Sequence, residues 1–359
     1  MSKRMPRASG YFRVSYAPDL ALVETGLERA GLLALLVILA GFPFLASAFW
    51  IDLASQIFLA SVGALSLMLL TGYAGQISLG HAGLIAAGAF TAGILSKELN
   101  APFWITLPAA AAVGGLLGIL FGLPSLRLRG LYLAVSTLAL HFVVVYVGGE
   151  YETRRGFSTG IVIDPPRIGG YALSNAKVWY FILLAAAAVT LLICVNLLRS
   201  RTGRAWRAIR AHETVAQALG IEVAAYKLLA FVVSSAITAV AGALFAYYRG
   251  FVSVEAFSLF LTIQYVAMII VGGMGSLLGA ILGAIFVSLF PYLIEAGLLS
   301  LPGASRYAGF LFAVNYAAFG LVMILFLIFE PLGLVGIWRR LQVYFLLWPF
   351  KHRPVAGRQ

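Results

Sequence analysis

RSRTGRAWRAIRAHETVAQALGIEVAAYK, residues 199–227, is the one long, polar, Arg-rich stretch inside a chain that is otherwise almost all apolar. What flanks it decides the fold. Residues 178–198 before it and 228–248 after it are uncharged and apolar. Each has the length, about 20 residues, that a helix needs to cross the hydrocarbon core of a bilayer. A polar helix held between two such spans lies outside the membrane and is placed to grip something there.

The stretch itself reads as a helix from about Arg204 to Leu219. Arg207, Arg210, Thr214 and Gln217 recur at three- and four-residue steps and form a polar face. Trp206, Ile209, Ala216 and Leu219 fall toward the other side among small alanines. Gly220 stands just past the last turn, where a left-handed closing residue is wanted. A basic amphipathic helix resting on anionic lipid is the alternative. The small residues of the apolar side and the defined turn at Gly220 favour a protein partner.

Composition extends this reading to the whole chain. Of 359 residues, 62% are apolar and 11% charged, against roughly 45–50% and about 25% in soluble domains. The mean hydropathy of +0.98 agrees. Ten apolar stretches qualify as spans: 30–49, 53–71, 82–96, 103–122, 130–148, 178–198, 228–248, 261–273, 276–296 and 306–329. The third and eighth are short and flanked by glycines. The expected fold class is therefore all-α, a polytopic integral membrane protein of about ten transmembrane helices. Residues 1–29 form a basic N-terminal tail, 30–337 the transmembrane domain and 338–359 a basic C-terminal tail. An external loop is expected at 149–177.

The formal charge of +12 would fit nucleic acid if the cations were clustered on a soluble domain. With ten spans and the amino terminus inside, 18 of the 25 Lys and Arg fall on the inner side, while the 13 acids split six inside to seven outside. That is the positive-inside pattern, which sorts cations alone. It makes the bilayer the partner of the basic residues and excludes nucleic acid. It also puts both termini and 199–227 in the cytosol. The single cysteine, Cys194, lies in an apolar run, so neither a disulfide framework nor a cysteine metal site can form.

Two glycine-rich stretches interrupt the spans. GYAGQISLGHAG, 72–83, carries Gly72, Gly75, Gly80 and Gly83 around Gln76, Ser78 and His81. Such a run allows broken helix geometry, and non-helical backbone at membrane depth survives only inside protein or along a wet cavity. Gln76, Ser78, Gly80 and His81 are candidates to line a substrate path of the kind transporters build from discontinuous helices. Helix–helix packing is the competing explanation. VGGMGSLLGAILGAIF, 271–286, spaces Gly272, Gly275, Gly279 and Gly283 at three- and four-residue intervals, as close helix packing requires.

Catalytic motifs are missing. No GxxxxGK[ST] phosphate loop occurs, so the chain does not hydrolyse ATP in the P-loop manner. His81, His141, His212 and His352 are far apart and form no HExxH pair, and no GxSxG elbow is present. No enzyme activity, metal or bound cofactor is expected. Asp52, Glu295 and Glu330 fall near span ends. Acids deep in a bilayer normally mark proton or ion coupling, so their placement argues against a proton-driven carrier and for a permease powered from outside the chain.

These residues carry a resemblance. GYAGQISLGHAG with the following AAGAFTAGIL resembles the signature of the branched-chain amino acid ABC permeases of the LivM type. GRAWRAIRAHETVAQALGIEVAAYKLLAFVVSSAITAVAGALFA (203–246) looks like that family's coupling segment, and VGGMGSLLGAILGA matches its later Gly-rich span. The similarity runs from about 55 to 330. It implies half of the translocation path of an ATP-driven importer in a bacterial inner membrane, carrying branched-chain or other small apolar amino acids. The implied partners are a LivH-like second permease, two cytosolic subunits that bind the ATP, and a periplasmic substrate-binding protein. It assigns ATPase coupling to Arg204, Arg207, Arg210, Glu213, Thr214, Ala216 and Gly220. The importer motif, EAA followed by three residues and Gly, keeps only Ala216 and Gly220 here, with Glu213 one place early. Related permeases serve urea, amides or aromatic acids, and a passive facilitator without an ATPase is a further alternative.

Overall fold

A computed structural model of the chain describes residues 26–128, 130–157, 160–168, 171–299, 311–330 and 332–347. Most of the two expected tails, 1–25 and 348–359, lies outside the described residues, as does 300–310.

Among the described residues, each apolar stretch of the sequence lies largely on a helix. α1 is Gly26–Leu45 and α2 Ala48–Leu67, which continues as a π turn, Met68–Tyr73. α3 is His81–Leu99, α4 Phe103–Ser125 and α5 Leu131–Arg155. α6 is Ala176–Arg199, α7 Arg201–Ala211, α8 Glu213–Ala218 and α9 Val223–Arg249. α10 is Leu259–Gly272, α11 Leu277–Leu299, α12 Leu311–Phe329 and α13 Gly333–Leu347. Among the described residues seven helices are long and apolar enough to cross a membrane, or eight if the bent pair α12–α13 is one span. α10 and the apolar part of α1, Arg29–Leu45, are shorter than a full crossing.

Boundaries differ from the sequence reading in three places. The first apolar stretch ends at Leu45, because extended backbone at Ser47 closes α1 and starts α2 (φ −69°, ψ 163°). The loop expected from 149 begins only after Arg155, where Gly156 closes α5 in a left-handed conformation. Residues 333–347, partly assigned to the C-terminal tail, form α13, whose Arg340 pairs with Glu330 at 2.6 Å.

α9 is the centre of the fold and packs against α4, α3 and α2; α2 in turn packs against α6, α11 and α10. The buried share separates core from rim. It is 78% for the apolar window of Ala48–Tyr73 and 22% for that of Ala176–Arg199. Lipid tails are as apolar as leucine, so helices in a membrane associate by close packing and not by hydrophobic exclusion. Small residues supply that closeness here. A Cβ on Gly88 would lie 1.8 Å from the Ala239 carbonyl, and one on Gly242 would lie 1.9 Å from that of Ile85, so α3 and α9 touch backbone to backbone. Ser66 and Thr238 bridge α2 and α9 by hydroxyls 2.8 Å apart.

Two sides can be told apart. On one, the two-residue strands β1 (Ile161–Val162) and β4 (Phe251–Val252) pair antiparallel, tying the loop after α5 to the end of α9. A second ribbon, β2 (Arg167–Ile168) with β3 (Tyr171–Ala172), completes that loop. On the other side α7 and α8 form a polar knuckle between α6 and α9.

Candidate functional site

The knuckle is built by capping. α6 ends at Arg199, and the arginines that follow reach back to its last carbonyls. Arg207 donates to the Leu198 carbonyl, and Arg204 donates to that of Arg199 at 3.1 Å. Cations at a helix C-terminus satisfy both its hydrogen bonding and its dipole. The apolar side of α7, Gly203, Ala205, Trp206 and Ile209, is buried, and Trp206 Nε1 donates to the Tyr226 carbonyl at 2.9 Å. That face packs within the chain and does not face lipid, against the lipid-resting alternative for α7.

The helix expected from Arg204 to Leu219 is interrupted. His212 is extended (φ −154°, ψ 103°) and separates α7 from α8. The break resets the helical phase, so Leu219, expected with Trp206, Ile209 and Ala216 on one side, is instead 75% exposed; Ala216 is buried. Val215, one turn earlier, is 54% exposed. Thr214 and Gln217 are also exposed, while the Glu213 carboxylate turns to Lys227 at 2.9 Å. Gly220 closes α8 with φ +83°. Ile221 N–H bonds the Ala216 carbonyl (3.1 Å) and Gly220 N–H that of Gln217 (3.0 Å), the paired bonds of a Schellman closure.

Arg210 leaves the knuckle and enters the fold. Its guanidinium donates to the Gly72 carbonyl at the end of the π turn. Its stem lies on Gly75 (φ +72°), and its Nη1 lies over Gly275 (φ +89°). Both glycines leave room that a Cβ would take, 3.1 Å from Arg210 Cγ at Gly75 and 2.9 Å from Nη1 at Gly275. One side chain thus touches both glycine-rich stretches.

Beyond the π turn the backbone is non-helical through 74–80. This segment climbs back along α2 until His81, hydrogen-bonded by the Gly63 backbone, starts α3. Irregular backbone within a membrane needs polar partners. Thr137 of α5 accepts from Leu79 N–H (2.9 Å), and Thr262 of α10 accepts from Ala82 N–H (3.0 Å). Gly80 lies against Thr137, where a Cβ would come 2.4 Å from its carbonyl. Gln76, Ser78 and His81 are all at most 3% exposed, and neither amide atom of Gln76 nor Nε2 of His81 has a hydrogen-bond partner. The His81 ring meets Tyr265 edge to face, 4.7 Å between centroids.

Tyr265 is also a wall of a cavity of about 270 Å³ between α2, α3, α9, α10 and α11. Leu59, Phe245, Leu261, Met268 and Val287 make it apolar, and Gln56, Gln264 and Ser288 add neutral polar groups. Gln76, Ser78, Gly80 and His81 are not in its wall; His81 reaches it through Tyr265. The second glycine stretch packs helices. Cβ atoms on Gly272 and Gly283 would lie 1.9 and 1.8 Å from the carbonyls of Gly279 and Met268, so α10 and α11 form a tight hairpin. Gly275 is the exception, since it sits in the turn under Arg210.

Fold and site define a polytopic helical membrane protein with a cavity among its core helices and a helical knuckle tied to a broken span. The sequence pattern of the family described as "Branched-chain amino acid transport system / permease component" matches residues 49–329, and the chain belongs to that family. It is 33% identical over 273 residues to the high-affinity branched-chain amino acid transport system permease protein LivM of Salmonella typhimurium LT2, covering 69% of this chain and 64% of that one. The LivM protein of Escherichia coli K12 gives the same figures. A probable LivH permease of Methanocaldococcus jannaschii is 26% identical over 267 residues, 71% of this chain and 82% of its own length. The chain thus spans 64% of the length of the bacterial relatives. No solved structure matches it.

Proposed function

We propose that the chain is one permease half of an ATP-driven importer for branched-chain or other small apolar amino acids. In this reading it sits in a bacterial inner membrane with the knuckle in the cytosol. A LivH-like permease supplies the other half, two cytosolic subunits bind and hydrolyse the ATP, and a periplasmic binding protein delivers substrate to the β1–β4 side. The bacterial relatives carry that substrate class in their names.

One arrangement carries the reading. α8 presents exposed Val215 and Leu219 beside Gly220, while α7 beneath it is anchored by Trp206 and joined through Arg210 to the broken span. An exposed apolar pair on a short helix with a rigid root suits a docking knob, and force on it is delivered to residues 72–75. Closure of the ATPases would move α7–α8, shift the broken segment and open the cavity inward. Such coupling requires the knuckle and the substrate each to bind the two states with different free energy.

Deleting 207–217 is expected to abolish both ATPase recruitment and energy-dependent leucine uptake. Unchanged recruitment and uptake would sink the assignment. The facilitator alternative predicts that the chain reconstituted alone equilibrates leucine across vesicles, whereas the importer half does not.

A further inference from the structure

The cavity walled by Tyr265 has one charged side chain in its wall among the described residues, Arg249, at the end of α9 on the β1–β4 side. A second cavity of about 360 Å³ adjoins it, and the two share Tyr248 and Arg249. The second contains one acid, Asp52. Asp52 accepts hydrogen bonds from Gln56 Nε2 (2.5 Å) and Tyr248 OH, both neutral donors. Arg249 lies over the Tyr248 ring, 5.6 Å from its centroid, and makes no ion pair among the described residues. One cation and one carboxylate are therefore set on either side of a tyrosine, each without an opposite charge of its own. They stand at the mouth of an apolar chamber.

A half-buried carboxylate held only by neutral donors, and a cation that no carboxylate neutralises, can each take a charged partner that enters the mouth. A pair held apart by one ring, above an apolar hole, is complementary to a small molecule that carries both charges at one end and a hydrocarbon at the other. We propose that Arg249, Tyr248 and Asp52 form the head-group subsite for a zwitterionic α-amino acid. Its carboxylate lies on Arg249, its ammonium on Asp52, and its side chain hangs among Leu59, Leu261 and Met268. This inference rests on the permease reading and adds where the substrate is held. Such a subsite would select for both charged groups, in a chamber whose apolar wall distinguishes little among aliphatic side chains. Urea and simple amides carry no charge for either residue.

The test uses the full chain in lipid nanodiscs, with labelled L-leucine and two competitors. These are 3-methylbutylamine, which lacks the carboxylate, and 4-methylpentanoate, which lacks the ammonium. Leucine is expected to outcompete both. Arg249→Gln should weaken leucine binding about ten- to a hundredfold, the range of a lost charged hydrogen bond, and erase the preference over the amine. Asp52→Asn should erase the preference over 4-methylpentanoate. Arg249→Lys, which keeps the charge, should restore most of the affinity. Arg249 is exposed, so the Gln variant should fold normally, and unchanged membrane levels of each variant check this. Leucine binding with wild-type affinity and discrimination in both variants overturns the subsite, as does a wild-type chain that binds no leucine. The permease reading fails separately, if removing the chain from cells leaves energy-dependent leucine uptake unchanged.

Discussion

Arg210→Ala separates a knuckle that transmits force from one that merely anchors partners. The substitution removes the donor to the Gly72 carbonyl and the stem packed on Gly75, and leaves Trp206, the Schellman closure and exposed Val215 and Leu219 in place. A hydrogen bond from a charged donor contributes about 1.5–3 kcal/mol. Arg210 is exposed over much of its length, so solvent screening places it at the low end. About 1.5 kcal/mol is roughly a tenfold change in the population of the undocked arrangement. Amide exchange of the full chain in nanodiscs reads this directly. The last turn of α7 and residues 72–76 should exchange about tenfold faster, with α9 unchanged. In cells, ATPase recruitment should persist while uptake falls, because the docking face survives and the link to the broken span does not. Wild-type exchange at 72–76, or recruitment and uptake lost in equal proportion, would refute the reasoning.

Two further substitutions test the backbone. Gly220→Ala meets open space, so its cost is the left-handed conformation alone, about 1–2 kcal/mol; faster exchange of the Gly220 and Ile221 amides should report it, and Gly220→Asn should recover part of the loss. Gly88→Ala forces a methyl against the Ala239 carbonyl, which should cost about 1–3 kcal/mol of overpacking and lower the melting temperature, whereas Gly31→Ala, with nothing within 4 Å, should not.

Helix positions were legible because they depend on composition and on a length set by the bilayer, and among the described residues each apolar stretch lies largely on a helix. The glycine run at 72–83 was legible as a break for a similar local reason. What the sequence hid depends on pairs brought together only by folding. Nothing local distinguishes Arg204 and Arg207, which close the end of α6, from Arg210, which crosses to a residue 138 positions away. The extended His212 sits in a run whose propensity is helical, and it alone turns Leu219 out to solvent. Asp52 and Tyr248, 196 residues apart, read separately as an interfacial acid and an unremarkable aromatic. Only the packing of α2 on α9 makes them neighbours.

In the proposed importer the knuckle on one side has to act on a cavity that reaches Arg249 on the other, and the same packing offers a route. The contacts are contiguous. Arg210 holds Gly72, the 74–80 segment runs from there to His81, and His81 rests on Tyr265, which forms part of the cavity wall. Regular helix would make a poor relay, since its internal hydrogen bonds fix one geometry. Residues 74–80 are instead tied to the preceding turn at Gln76 and to Thr137 of α5 at Leu79, and the residues that flank them are held by Arg210 at Gly72 and Thr262 at Ala82. Such bonds can be exchanged without unfolding a span. Close-packed interiors change by jumps between packed arrangements, not by smooth bending, so release of Arg210 should free the segment as a unit.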